Sequence, residues 1–325
     1  MSKQVFKLCC KATELQLKGT LNGGQSFRWQ KQTNNGAEEW IGVFKNMVWI
    51  LQQSEEFLTC QVHQNNENEL NVDQLETLLR NYFHLDLINL EEYYEKWSSS
   101  DPYFRQAAKE FYGIRILQQD PVENLFSFIC SQNNHITRIS SMVEKLATFY
   151  GSRICELNGI VYYGFPKVED LADAKVEENL RKNGFGYRAK YIAKAAQEIV
   201  KEGGDAWLEK LKCMDYLDAK KCLVGLTGIG PKVADCICLM SLGHLQAIPV
   251  DTHMYQIASR LYLPNLPKQK SITDKIYTDI GNHFRKLYGP LAGWAHTILF
   301  CADLKQFKTV ENVKEEKLTN KRKKK

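Results

Sequence analysis

The sequence predicts an α+β fold, with a small N-terminal antiparallel β-sheet lobe packed on a larger, mainly α-helical body. Three observations carry this expectation. Two apolar, β-branched runs near residue 45 flank a two-residue polar turn. From Asp73 onward, apolar residues recur at helical intervals. Between Leu226 and Cys236, two glycines stand one residue apart with helical patterns on either side, the outline of a helix-hairpin-helix. With 325 residues, 44% apolar and 11% aromatic, the chain can bury a core in one large or two to three smaller lobes.

In the sheet lobe, Glu39 to Phe44 and Met47 to Leu51 read as paired strands joined at Lys45-Asn46. Phe57 to Val62 alternates and makes a neighbouring strand, and the polar stretch His63 to Asn68 reads as an exposed loop. In the helical body, Asp120-Pro121 is a helix start, a capping carboxylate followed by a preset φ. After the polar break Ser131-Gln132-Asn133-Asn134, the apolar positions Ile136, Ile139, Val143, Leu146 and Tyr150 share one helix face that stops at Gly151. The expected organisation is a β-rich lobe with flanking helices over 1–118 and a helical body over 119–307. The helix-hairpin-helix falls at about 214–241, and 308–325 is a basic tail.

Composition narrows the function classes. No run of 18 or more apolar residues occurs, so no membrane-spanning helix is expected. The start, Met1 to Lys7, lacks the apolar stretch of a secretory signal. Ten cysteines without such a signal are expected as reduced thiols of the cytosol or nucleus. Cys236-Ile237-Cys238 is too tight for a zinc clip and no CxxC pair occurs, so neither metal nor cofactor is expected. The net charge of +5, from 43 Lys plus Arg against 38 Asp plus Glu, is mild. The tail Lys321-Arg322-Lys323-Lys324-Lys325 reads equally as a solvated end or as a nuclear import signal or phosphate-binding arm.

The chemistry concentrates between Leu223 and Arg260. In Gly228-Ile229-Gly230-Pro231-Lys232, the glycines allow positive φ and leave backbone N–H groups uncovered, while Pro231 opens a helix. Such a turn can bind a phosphate without reading sequence, although a Gly-x-Gly pair alone is most often just a tight turn. Lys232 at the second helical position meets the positive end of the helix dipole, which favours the free amine that nucleophilic attack requires. On spacing alone an ordinary solvated lysine beside a packed Cys236 is the preferred reading. Asp251 is expected as an N-cap, since Met254, Ile257 and Leu261 begin a helical stripe after it. A carboxylate there can also stabilise a sugar that becomes cationic as its base departs.

These residues resemble the helix-hairpin-helix, Gly-Pro-Asp glycosylases: Gly228-Ile229-Gly230, Lys232-Val233-Ala234-Asp235-Cys236 and Pro249-Val250-Asp251 carry the likeness. Longer strings narrow it. Gly24 to Trp29, Leu125 to Ser131, Gly186 to Ala189 and Ala292 to Ala295 are similar to the eukaryotic 8-oxoguanine DNA glycosylase and AP lyase family, in family order from about residue 10 to about residue 307. The iron–sulfur cysteine run found in one branch of the superfamily is missing.

The resemblance implies base excision repair of duplex DNA holding 8-oxoguanine opposite cytosine. It implies Lys232 as the nucleophile that attacks C1′, forms a Schiff base and nicks the strand by β-elimination, with Asp251 steadying the developing charge. Cys236, Met240 and Phe300 would line the pocket of the everted base, and the Gly24 carbonyl would accept the N7–H that guanine lacks. Arg138 and Arg188 would hold the estranged cytosine, Asn133 would fill the gap and Tyr187 would wedge beside it. Gly228, Gly230 and His253 would hold phosphates. Without the likeness, the arginines read as surface ion pairs and Asn133 as a loop cap. His296 stands where the family has glutamine, so altered pocket specificity or pH dependence is expected. Downstream repair proteins are implied partners, the chain is expected to be a monomer, and localisation is expected to be nuclear, with a mitochondrial share left open. Rival readings are a sister glycosylase for another damaged base, a non-catalytic module that binds damaged DNA, and a glycine-hairpin scaffold without a nucleic-acid role.

Overall fold

The computed structural model describes residues 2–34, 36–64, 69–267 and 271–304. Five strands form one antiparallel sheet: β1 (Ser2–Cys9), β2 (Trp29–Asn34), β3 (Ala37–Phe44), β4 (Met47–Gln53) and β5 (Phe57–Gln64), in the order β1-β5-β4-β3-β2. Val43 pairs with Val48 and Phe44 with Met47, so Lys45-Asn46 is a two-residue hairpin turn. Both turn residues have positive φ, 51° and 55°, the backbone twist that matches a right-handed hairpin.

Strand β5 alternates in burial, whereas β3 and β4 are buried almost throughout. The cause is cover on both faces. One face packs Trp49, Leu51, Leu58 and Val62 against Leu75, Leu79 and Phe83 of and just after α2 (Val72–Tyr82). The other packs Ile41, Val43 and Val48 against Cys155 of β6 (Arg153–Leu157), which pairs with β7 (Ile160–Tyr163). The hairpin β6–β7 lies within the helical body and was not foreseen. His63 and Gln64 correct the expected loop. They extend β5, pair with Lys3 and Ser2 of β1 and are buried, because the edge strand β1 supplies backbone partners that local polarity does not reveal.

The remaining helices of the first half are α1 (Leu17–Asn22), α3 (Leu90–Ser100) and α4 (Pro102–Ala108). The body contains α5 (Pro121–Ser131), α6 (Ile136–Tyr150), α7 (Val168–Leu171), α8 (Val176–Lys182), α9 (Arg188–Glu202), α10 (Asp205–Lys212) and α11 (Tyr216–Val224). It closes with α12 (Pro231–Met240), α13 (Thr252–Ile257), α14 (Asp274–Tyr288) and α15 (Ala292–Asp303). Asp120 caps α5 by accepting from the Val122 and Glu123 amides, as its sequence predicts. On α6, Ile139, Val143 and Leu146 are buried, while Ile136 at the first turn is exposed.

One ion-paired side chain ties the lobes. Arg28, immediately before β2, is buried, lies 2.9 Å from Glu144 of α6 and 3.6 Å from Glu123 of α5, and donates to the Tyr163 carbonyl of β7 at 2.6 Å. Burial pushes the Glu123 carboxyl up to about 7, against the pull of Arg28. Phe27 beside it enters the helical core and meets Phe128 edge-on at 5.7 Å. The segment Gly24–Arg28 therefore belongs to both lobes. The basic run Lys321 to Lys325 lies outside the described residues.

Candidate active site

The helix-hairpin-helix is formed by α11, the turn over 225–230 and α12. Gly228 has φ +85°, but Gly230 has φ −91° and ψ 175°, extended backbone open to any residue. Only the first glycine of the pair meets the expectation of positive φ. Gly230 is the N-cap without a side-chain cap, and Pro231 fills the first helical position. Thr227 anchors the turn, donating from its amide and hydroxyl to Glu198 of α9 at 2.7 and 2.6 Å.

Lys232 follows at the second helical position, with Nζ 4.9 Å from the centre of the Phe128 ring. Asp251 is the N-cap of α13 and accepts from the Met254 amide through Oδ1 at 2.8 Å. The stripe that follows it, Met254 and Ile257, is buried, and the helix then widens into a π-helical turn over Ala258–Tyr262.

Lys232 and Asp251 meet at one cavity of about 50 Å³. Its lining includes Gly24, Cys236, Met240, His296 and Phe300. All seven residues expected to carry catalysis or base recognition thus converge from four separate stretches of chain. Phe128, Pro249, Thr297 and Gly23 also line it and were not assigned; Phe128 lies in a string that carries the resemblance, so its signal was available. As it stands the space suits one or two water-sized groups, so a purine would require the lining to open. Gly24 has φ +81°, and a Cβ there would meet only Phe300, at 3.9 Å, so backbone conformation is what demands glycine.

Electrostatics in the cavity follow burial. The Cys236 thiol is pushed up to about 11 by burial, against the pull of Lys232, and stays a neutral wall of the pocket. His296 is held down at about 4 by burial, with Asp251 opposing and Lys232 adding to the shift. Among the described residues neither ring nitrogen has a hydrogen-bond partner of sound geometry, although the Pro249 carbonyl is near. The His296 ring lies nearly parallel to Phe300, with centroids 6.4 Å apart and planes at 19°.

A second group forms beside the hairpin. Arg188 is buried and donates to the carbonyls of Gln132 and Asn133, and the Tyr187 hydroxyl donates to the Gln132 carbonyl at 3.2 Å. The Arg188 guanidinium also stacks 4.6 Å over Tyr187, which is 44% exposed. Asn133 has φ +45°, at the tip of this loop. Gln132, which the sequence reading passed over, donates to the Gly228 carbonyl at 2.7 Å and fastens the loop to the hairpin. Arg138 is exposed and donates to the Gly184 carbonyl at 3.0 Å. His253 stands apart from this group, edge-on to Phe300 at 5.3 Å and 3.0 Å from Asp303, which also pairs with Arg260. No group of three or more metal-ligating side chains occurs among the described residues.

Comparison with known proteins agrees with this geometry. Residues 7–125 match the 8-oxoguanine DNA glycosylase N-terminal domain, and residues 126–282 match the HhH-GPD superfamily base excision DNA repair protein. The chain is 37% identical to the N-glycosylase/DNA lyase OGG1 of Arabidopsis thaliana, over 94% of this chain and 82% of that protein. It is 35% identical to the N-glycosylase/DNA lyase of Saccharomyces cerevisiae, over 94% and 87% respectively. The Clostridium acetobutylicum 8-oxoguanine glycosylase/lyase, solved with dsDNA containing cytosine opposite 8-oxoG, superposes with a TM-score of 0.76 at 30% identity, over 89% of this chain and 91% of that one. Fold and site define a helix-hairpin-helix enzyme, a DNA glycosylase with AP lyase activity. The chain belongs to the 8-oxoguanine DNA glycosylase family.

Proposed function

We propose that this chain excises 8-oxoguanine paired with cytosine from duplex DNA and nicks the strand through a covalent Lys232 intermediate. The observation that carries the reading is the single cavity where Lys232 and Asp251 meet the five residues expected around an everted base. The Clostridium relative, solved on the same lesion pair, supports the choice of substrate.

In this mechanism the Lys232 amine attacks C1′. The N9–C1′ bond breaks, the base leaves with the electron pair, and the Asp251 carboxylate stabilises the sugar while it is cationic. The amine then loses its proton, the C1′–O4′ bond opens and a Schiff base forms. Loss of a C2′ proton expels the 3′ phosphate by β-elimination.

Selectivity would begin at Gly24, whose carbonyl accepts N7–H from the oxidised base and faces a lone pair in guanine. An unmatched buried acceptor costs about 1–3 kcal/mol, so extrusion from the stack must contribute the rest. His296 stays neutral at ordinary pH and offers one donor and one acceptor to the base. It therefore acts on which base is accepted more than on pH dependence. Arg138 and Arg188 would take the estranged cytosine. Arg188 holds the Gln132 and Asn133 carbonyls through Nε and Nη2, which leaves the Nη1 donors of its guanidinium for the base. The protein would act as a monomer, and Lys321 to Lys325 support import into the nucleus.

The test is release of free base from matched duplexes carrying 8-oxoguanine:cytosine, 8-oxoguanine:adenine or guanine:cytosine, followed by chromatography. Rapid release from the first alone agrees with the proposal. Preferential release of an alkylated purine or an oxidised pyrimidine from corresponding duplexes would replace it.

A further inference from the structure

A buried polar cluster borders the catalytic residues without lining their cavity. Asp235 lies on α12, three residues after Lys232, and is 0% exposed. Its Oδ1 accepts from the Tyr216 hydroxyl at 2.7 Å. Its Oδ2 accepts from Lys220 Nζ at 2.7 Å and from the Tyr277 hydroxyl at 2.5 Å. Lys220 also stands 5.8 Å from the Tyr216 ring centre and 4.6 Å from that of Tyr277. A buried carboxylate is costly unless paired and hydrogen-bonded, and three donors meet that requirement here.

The Tyr277 hydroxyl has a second duty. A phenol carries one proton, and two acceptors lie within reach, Asp235 at 2.5 Å and the Ile248 carbonyl at 3.3 Å. The charged, nearer acceptor forms the stronger bond, so the proton goes to Asp235. The oxygen is then free to accept from the Val250 amide, at 3.3 Å. Val250 is 2% exposed, so its N–H would otherwise be buried without a partner. Asp251 is the next residue. One hydroxyl thus joins the helix that carries Lys232 to the turn that carries Asp251.

We infer that Tyr277, oriented by Asp235, is a positioning residue that fixes the Pro249-Val250-Asp251 turn relative to Lys232. The inference rests on the proposed reading of Lys232 and Asp251 as the catalytic pair. Tyr216 supplies an internal control. It donates to the same carboxylate, and among the described residues no hydrogen bond joins it to the Asp251 turn.

The experiment compares Tyr277→Phe and Tyr216→Phe with wild type on an 8-oxoguanine:cytosine duplex, at a temperature where circular dichroism shows each folded. Single-turnover borohydride trapping gives the rate and fluorescence anisotropy gives the duplex affinity. Tyr277→Phe is expected to slow trapping on the order of 10-fold with affinity unchanged, as misplacement of a catalytic group does. Tyr216→Phe is expected to trap at the wild-type rate. Should Tyr277→Phe not fold, Asp235→Leu removes the acceptor that ties the phenol to the helix carrying Lys232, and is expected to give the same loss. A wild-type rate in Tyr277→Phe, or in Asp235→Leu where that variant stands in, overturns the inference, as do equal slowing in both tyrosine variants and a rate that falls only in step with affinity. A wild-type protein that forms no adduct removes the underlying functional reading instead.

Discussion

Gly228 lies directly against Tyr191: a Cβ added to the glycine would fall 2.6 Å from the tyrosine Cβ, on a backbone with φ +85°. The hairpin and α9 are therefore in contact at a position where no side chain fits. Gly228→Ala combines left-handed strain of about 1–2 kcal/mol with an overlap costing about 1–3 kcal/mol. It should lower the unfolding midpoint and weaken duplex binding. Gly230→Ala has open space and ordinary dihedrals. A poorer N-cap and a stiffer unfolded chain offset one another there to within about 1 kcal/mol. Thermal unfolding of the two variants side by side checks the contrast, and equal effects would contradict it.

Arg188 and Arg138 separate by burial. Arg188 is 3% exposed and holds two loop carbonyls, whereas Arg138 is exposed. Arg188→Ala removes the charged hydrogen bonds of a buried side chain to the Gln132 and Asn133 carbonyls and should destabilise the fold by about 1–3 kcal/mol. Arg138→Ala should leave the unfolding midpoint nearly unchanged and reduce only affinity for the lesion duplex. Chemical denaturation and anisotropy measured on both variants distinguish the two roles.

The acid stability of the protein should carry the mark of His296. Burial depresses its folded value to about 4, below the ordinary 6.5, so the unfolded chain binds more protons between those limits. Stability from this group is present above about 6.5 and is lost as pH falls toward 4, up to about 3 kcal/mol in all. His296→Gln does not titrate and should flatten that part of the stability curve. Denaturant midpoints measured from neutral pH down to pH 4 check this; parallel curves for wild type and variant would contradict it.

Much of the site was legible because its chemistry is local in sequence. The cap at Asp251, the Pro231 helix start and the Lys232–Cys236 spacing are short-range patterns, and the structure preserves them. The strands β3 and β4 were legible for the same reason, since a two-residue turn joins them. Strand β1 was not, because its partner β5 lies about fifty to sixty residues away and its own sequence is half charged or polar. His63 and Gln64 read as loop until that pairing covers them. The Tyr277–Asp235 bond joins residues 42 positions apart, and no local pattern marks it. Gly230 misled in the opposite sense, since a glycine's freedom does not show that the freedom is used.

The central claim is tested most directly by reducing the protein–DNA mixture with borohydride on an 8-oxoguanine:cytosine duplex and locating the adduct by peptide mass spectrometry. The account predicts a covalent product attached at Lys232 and absent from Lys232→Gln. A product attached to another residue, or one that survives the substitution, would contradict it.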